Sequence, residues 1–118
     1  MGDDEINKII TEFMGWNLWS GQFAGIKYNA EIYVNHKGNK CLNNFTEDLN
    51  LLTLVWEKLK ADIQIETEIC PEEGFLGYEV GILTANTSNL YSGTFSSIQQ
   101  AAAYVTAKAI LELNKGDL

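Results

Sequence analysis

The stretch Asn43 to Lys60, NNFTEDLNLLTLVWEKLK, decides how the chain is organised, because it holds both a helix start and an apolar face. Thr46 is placed as N-cap, with Glu47 and Asp48 putting negative charge at the positive end of the helix dipole. Leu52, Val55, Trp56 and Leu59 recur at i, i+3, i+4 and i+7, the spacing of a buried helical stripe. Leu51 and Leu54 widen that stripe, so the helix is expected to be covered on more than one side, with Trp56 largely buried. Lys58 and Lys60 close the last turn with the charge the dipole favours there. Capping accounts for Glu47 and Asp48 without giving them ligand or acid–base roles.

Working outward, the segment after this helix has period two. Ile63, Ile65, Thr67 and Ile69 share one face of an expected strand, and Asp62, Gln64, Glu66 and Glu68 share a wet one. Pro71-Glu72-Glu73-Gly74 reads as a turn, and Leu76, Tyr78, Val80 and Ile82 as the partner strand. Gly77 and Gly81 mark points of close approach on its other face. Asn86 to Gly93 is a polar loop with room for a short strand. Ser96-Ser97-Ile98-Gln99 has a capping-box pattern and opens a last helix to about Leu113, whose alanines permit close packing on a sheet or another helix.

Before the first stretch, Asp3 or Asp4 caps an expected helix to about Phe13, with Ile6, Ile9, Ile10 and Phe13 as its stripe and Gly15 as its stop. An aromatic loop, Gly15 to Gly21, holds Trp16 and Trp19, and one or two short strands are expected between Phe23 and Val34. His36 to Lys40 reads as an exposed turn. Helix, strands, helix, β-hairpin, helix is the order of an α+β domain, with helices on a mostly antiparallel sheet. With 118 residues and no repeat or linker, residues 1–118 read as one domain.

Composition excludes several functions. The net charge is −8 and all eight cations are lysines. Without arginine or a basic stripe, direct nucleic-acid binding is not expected. A single histidine, His36, rules out histidine triads and multi-histidine metal sites. Cys41 and Cys70 are too few and too far apart for a zinc motif. Asp62, Glu66 and Glu68 repeat along one strand face and read as solvated carboxylates, not as a metal site. No cofactor is implied. No apolar run nears the roughly 20 residues of a membrane span, and the acidic start MGDDEINKII lacks the features of a signal peptide, so a cytoplasmic location is expected.

Three pieces taken together resemble a known family. They are the opening helix ending in Phe13-Met14-Gly15-Trp16, the helix start Asn44-Phe45-Thr46-Glu47-Asp48-Leu49-Asn50, and the closing alanine-rich helix from Ser96 to Leu113. In this order and spacing they resemble the phage ABA sandwich domain family of small phage and prophage proteins. The resemblance spans nearly the whole chain. It departs at Ser97, where the family often has proline, and in the Asn86 to Gly93 stretch, which is inserted. It implies an α/β fold, a bacterial cytoplasmic setting and no assigned chemistry, and it brings no catalytic residues.

Three functions compete. The first is non-catalytic binding to a host protein, with inhibition of antiphage defence as one such role. Its anchors would come from Trp16, Trp19, Tyr28 and Tyr33, since aromatic side chains dominate interface energies. The second is a sponge for a small nucleotide immune signal, in a pocket shared by several copies. It would rely on Lys27, Lys37 and Lys40 and a stacking ring. The third is an enzyme, for which no histidine pair, cysteine–histidine arrangement or phosphate-binding glycine loop is found. Protein binding is the expectation.

Overall fold

The computed structural model describes residues 1–19, 22–23, 26–27, 32–35, 40–41, 43–70, 72, 74–85 and 87–116. Its helices are α1 (Asp3–Met14), α2 (Leu49–Leu59) and α3 (Ile98–Gly116). The main sheet is antiparallel, in the order β6-β7-β8, with β6 at Asp62–Cys70, β7 at Gly74–Thr84 and β8 at Thr87–Tyr91. Five short strands precede α2: β1 (Asn17–Trp19), β2 (Gln22–Phe23), β3 (Ile26–Lys27), β4 (Ile32–Val34) and β5 (Lys40–Cys41). They pair among themselves, β1-β4-β5 in one small sheet and β2-β3 in another. The fold is α+β.

The middle of the molecule belongs to α3. It packs against β7 and β8 on one side and against α1 and α2 on the other. A helix covered on two sides needs small residues, and Ala101, Ala102, Ala103, Ala107 and Ala109 are all buried, with Val105 and Ile110 among them. The sequence allowed α3 to pack on a sheet or on a helix; it does both. Facing it are Val80 and Ile82 from β7, Ile6 and Ile10 from α1, and Leu52, Val55 and Leu59 from α2. Among the described residues Phe45 is the largest fully enclosed side chain, and Trp16 stacks on it at 5.6 Å between ring centroids.

Several sequence expectations need correction. Leu54 is 46% exposed, so of the two residues expected to widen the stripe of α2 only Leu51 does, half-buried against the core. Trp56 is only partly buried, and its indole N–H donates to Thr106 Oγ on α3 at 2.9 Å. The N-cap of α2 is Asp48, whose carboxylate accepts from the Asn50 N–H; Thr46 lies in the preceding turn, where its N–H donates to Asn7 Oδ1 on α1. Gly2 precedes α1 with no side-chain cap, and Asp3, Asp4 and Glu5 fill the first turn instead. Ser97 caps α3 by accepting from the Gln100 N–H, one residue later than the capping-box pattern indicates. The expected aromatic loop after Gly15 includes strand β1.

The helix ends follow sequence logic more closely. Gly15 is left-handed (φ 73°), and the N–H groups of Gly15 and Trp16 reach back to the Glu12 and Thr11 carbonyls. α2 closes in the same way through Lys60, a non-glycine residue at φ 53°. The last turn of α1 holds no cation of its own. Lys58 of α2 supplies one, donating to the Phe13 carbonyl at 2.6 Å while lying over the Phe13 ring.

Candidate functional site

The hairpin of β6 and β7 is longer than the helix that covers it. Cross-strand partners project to the same side of a sheet, so Ile63, Ile65 and Thr67 share a face with Ile82, Val80 and Tyr78. α3 lies over this face at β7 and β8, and Val80 and Ile82 are sealed. Ile65, directly opposite Val80, is nevertheless 47% exposed, because β6 is the edge strand and lies outside the cover of α3. Period two correctly sorted these residues into one face. It could not show that the face outruns the helix.

Beyond Tyr78 the hairpin extends past the helix as well. Here β7 carries a bulge: Glu68 pairs with Gly77 and Ile69 with Phe75, leaving Leu76 as the extra residue. The bulge inverts the alternation of β7, so Phe75 lies on the same side as Tyr78 and their rings meet edge-on at 5.0 Å. Phe75 is 53% exposed and Leu76 46%. Ile65, Tyr78 and Phe75 therefore form an apolar strip that continues the core face into solvent, with the exposed Leu76 at the bulge beside it. The β-strand propensity of Phe75 and Leu76 was legible, but the bulge that turns Phe75 toward this strip was not.

Gly77, beside the bulge, lets the returning chain come close to β7. An added Cβ there would run into the Phe95 carbonyl oxygen and approach the Thr94 methyl to 2.8 Å. The chain returns to that point after β8, where Tyr78 and Phe95 exchange both backbone hydrogen bonds, at 2.7 and 2.9 Å. Between β8 and this bridge, the Ser92 hydroxyl accepts from the Val80 N–H at 2.9 Å and donates to the Gly93 carbonyl. A side chain thus stands in where the backbone ladder has opened. At Gly81, the close approach comes from the Tyr91 ring, 3.1 Å from where a Cβ would lie.

The opposite face of the hairpin is acidic. Asp62 and Glu66 project there from β6, and Glu79 stands directly across from Glu66. Gln64 donates to Glu66 Oε1 at 3.1 Å, and among the described residues no lysine pairs with either glutamate. No cluster of three or more histidine, cysteine, aspartate or glutamate side chains with metal-site geometry occurs among the described residues. No helix among them is long and apolar enough to cross a membrane.

Of the sequence-derived site residues, Trp19, Tyr33 and Lys40 come together in the β1-β4-β5 sheet, and Lys27 lies in the separate β2-β3 pair. Trp16 is partly buried against Phe45, at the junction of α1 and the small strands. Trp19 pairs with Ile32, and Tyr33 with Leu18 and Cys41, so both belong to the β1-β4-β5 sheet. Lys27 pairs with Gln22 in the β2-β3 hairpin, and Lys40 with Val34. Tyr28 and Lys37 lie outside the described residues. The hairpin strip was not marked as a site by the sequence reading: Ile65, Leu76 and Tyr78 read as strand-face residues, and Phe75 was not singled out. No protein-family model matches the chain, and comparisons with curated proteins and with solved structures likewise find no match.

Proposed function

We propose that this protein acts without catalysis, as a small accessory protein of the phage ABA sandwich kind that docks on a host protein in the bacterial cytoplasm. Inhibition of an antiphage defence protein is the role such docking would serve. The supporting observation is the apolar strip Ile65, Tyr78 and Phe75, with Leu76 exposed beside it at the bulge, continuous with the core and open to solvent on the β6-β7 hairpin. Exposed apolar surface joined to an ordered framework is the usual mark of a contact site, and aromatic residues such as Phe75 and Tyr78 are common anchors. The net charge of −8 adds long-range attraction toward a basic partner.

The test is affinity capture from a bacterial host lysate with the parent protein, Phe75→Ser and Trp19→Ala, each checked for folding by circular dichroism. Loss of a captured protein with Phe75→Ser, and retention with Trp19→Ala, is the expected result. Equal capture by parent and Phe75→Ser would refute the hairpin site. A nucleotide co-purifying in place of a protein would establish the sponge function instead.

A further inference from the structure

β6 is an edge strand of unusual openness. It is nine residues long and pairs with β7 along its whole length, while its other rim has no strand beside it among the described residues. Gln64, Ile65, Glu66 and Thr67 are exposed in succession, so both faces at this rim are open. Edge strands are ordinarily guarded by lysine, proline, a bulge or an inward-pointing charge. Asp62 to Cys70 contains no lysine and no proline, its inward positions Ile63, Ile65 and Thr67 are uncharged, and the bulge of the hairpin belongs to β7.

The two faces of the rim then specify what can pair there. A strand added beside β6 must alternate, since successive side chains fall on opposite sides of the sheet. On the inner side its residues would meet Ile63 and Ile65, extending the apolar strip. On the outer side they would meet Asp62 and Glu66, with Glu79 one strand further in. Glu66 and Glu79 already face each other with no cation paired to either among the described residues, an arrangement that costs free energy and is relieved by positive charge alongside. A second copy of β6 is the wrong occupant. Asp62–Cys70 carries no cation, so in any antiparallel register a second copy would set carboxylate or uncharged side chains, and no positive charge, beside Asp62 and Glu66.

We propose that β6 binds its partner by strand addition, and that the segment it accepts is an extended one alternating apolar residues with lysine or arginine. This deepens the docking function proposed above and rests on it. Backbone hydrogen bonds along the rim would supply affinity, while the apolar and acidic faces would set orientation and selectivity.

Synthetic nine-residue peptides alternating valine with lysine, valine with glutamate, and serine with lysine test the proposal. Binding is followed by fluorescence anisotropy, and the site by amide hydrogen exchange on the full chain. The valine–lysine peptide should bind on the order of tenfold more tightly than either control, with new protection confined to residues 62–70. Ile65→Lys should weaken it by a similar factor, and Glu66→Lys should shift preference to the valine–glutamate peptide. Equal binding of the serine–lysine peptide, or protection away from β6, would overturn strand addition. Protection of β6 in the peptide-free protein, with a dimer in sedimentation, would overturn it in favour of a second copy. If peptides fail at β6 while Phe75→Ser still loses its captured partner, strand addition is wrong and the docking site stands. If Phe75→Ser keeps that partner, the docking site itself is wrong.

Discussion

Gly77→Ala is the substitution whose cost the structure defines most fully. The new Cβ would collide with the Phe95 carbonyl oxygen, a backbone atom that cannot swing aside alone. Relief requires opening the Tyr78–Phe95 bridge, which holds two hydrogen bonds. At a net ~0.5–1.5 kcal/mol each, their loss costs ~1–3 kcal/mol. Gly77 also has φ 152°, outside the range side chains favour, which adds ~1–3 kcal/mol. The total is about 2–6 kcal/mol. For 118 residues, an unfolding entropy of ~2.1 cal/mol/K per residue makes each kcal/mol worth about 4 °C, so Tm should fall by about 8–24 °C. Thermal melts followed by circular dichroism measure this directly. Adding Thr94→Ser removes the methyl contact at 2.8 Å but leaves the carbonyl, so it should restore little. Gly81→Ala, which crowds the half-exposed Tyr91 ring and meets the Leu90 carbonyl oxygen at an ordinary 3.7 Å, should cost under about 1 kcal/mol. A Gly77→Ala Tm within about 3 °C of the parent, or full rescue by Thr94→Ser, would refute the reasoning, the expected shift being ~4 °C per kcal/mol.

Other substitutions probe separate contacts. Ser92→Ala strips the buried Val80 N–H of its acceptor and should cost about 1–3 kcal/mol in urea denaturation. Trp56→Phe should cost about 1 kcal/mol through the lost bond to Thr106, and Trp56→Ala about 3 kcal/mol, the low end for an aromatic deletion because the ring is only partly buried. Lys60→Gly should stabilise the protein by about 0.5–1 kcal/mol, since a left-handed residue at the end of α2 favours glycine; a lower urea midpoint would contradict this. Lys58→Met keeps the packing over Phe13 but removes the charge at the C-terminus of α1, and should cost about 0.3–1 kcal/mol, less at high salt.

The sequence was most informative where a local period meets a local signal. Asp3–Met14 and the 62–84 hairpin fall within the expected limits, because the apolar periods there are bounded by Gly15 and by the turn signal of the sequence Pro71-Glu72-Glu73-Gly74. Cap identity was less legible. Thr46, Asp48, Ser96 and Ser97 are all chemically able to cap, and which one does depends on where the chain enters the helix. What lay out of reach was the extent of the second layer. Ile65 and Val80 carry the same pattern, yet one is half exposed and the other sealed, and only the footprint of α3 separates them. The aromatic pair Trp16 and Phe45 shows the same limit, since its rings meet across a stretch no local pattern spans.

Placing α3 between the sheet and the other two helices also fixes an order of events during synthesis. α1 and α2 are made first, yet their main apolar partner is the helix that emerges after the whole hairpin. At ~5–20 residues per second, the stripe of α2 waits several seconds for its cover. Contacts such as Gln100 to Asp3, 97 residues apart, close only after that wait, so the chain folds late and slowly compared with a helical bundle of its size. During that interval the apolar sides of α1 and α2 and the strands of the hairpin are open together, surface that the finished fold closes only once α3 has been made.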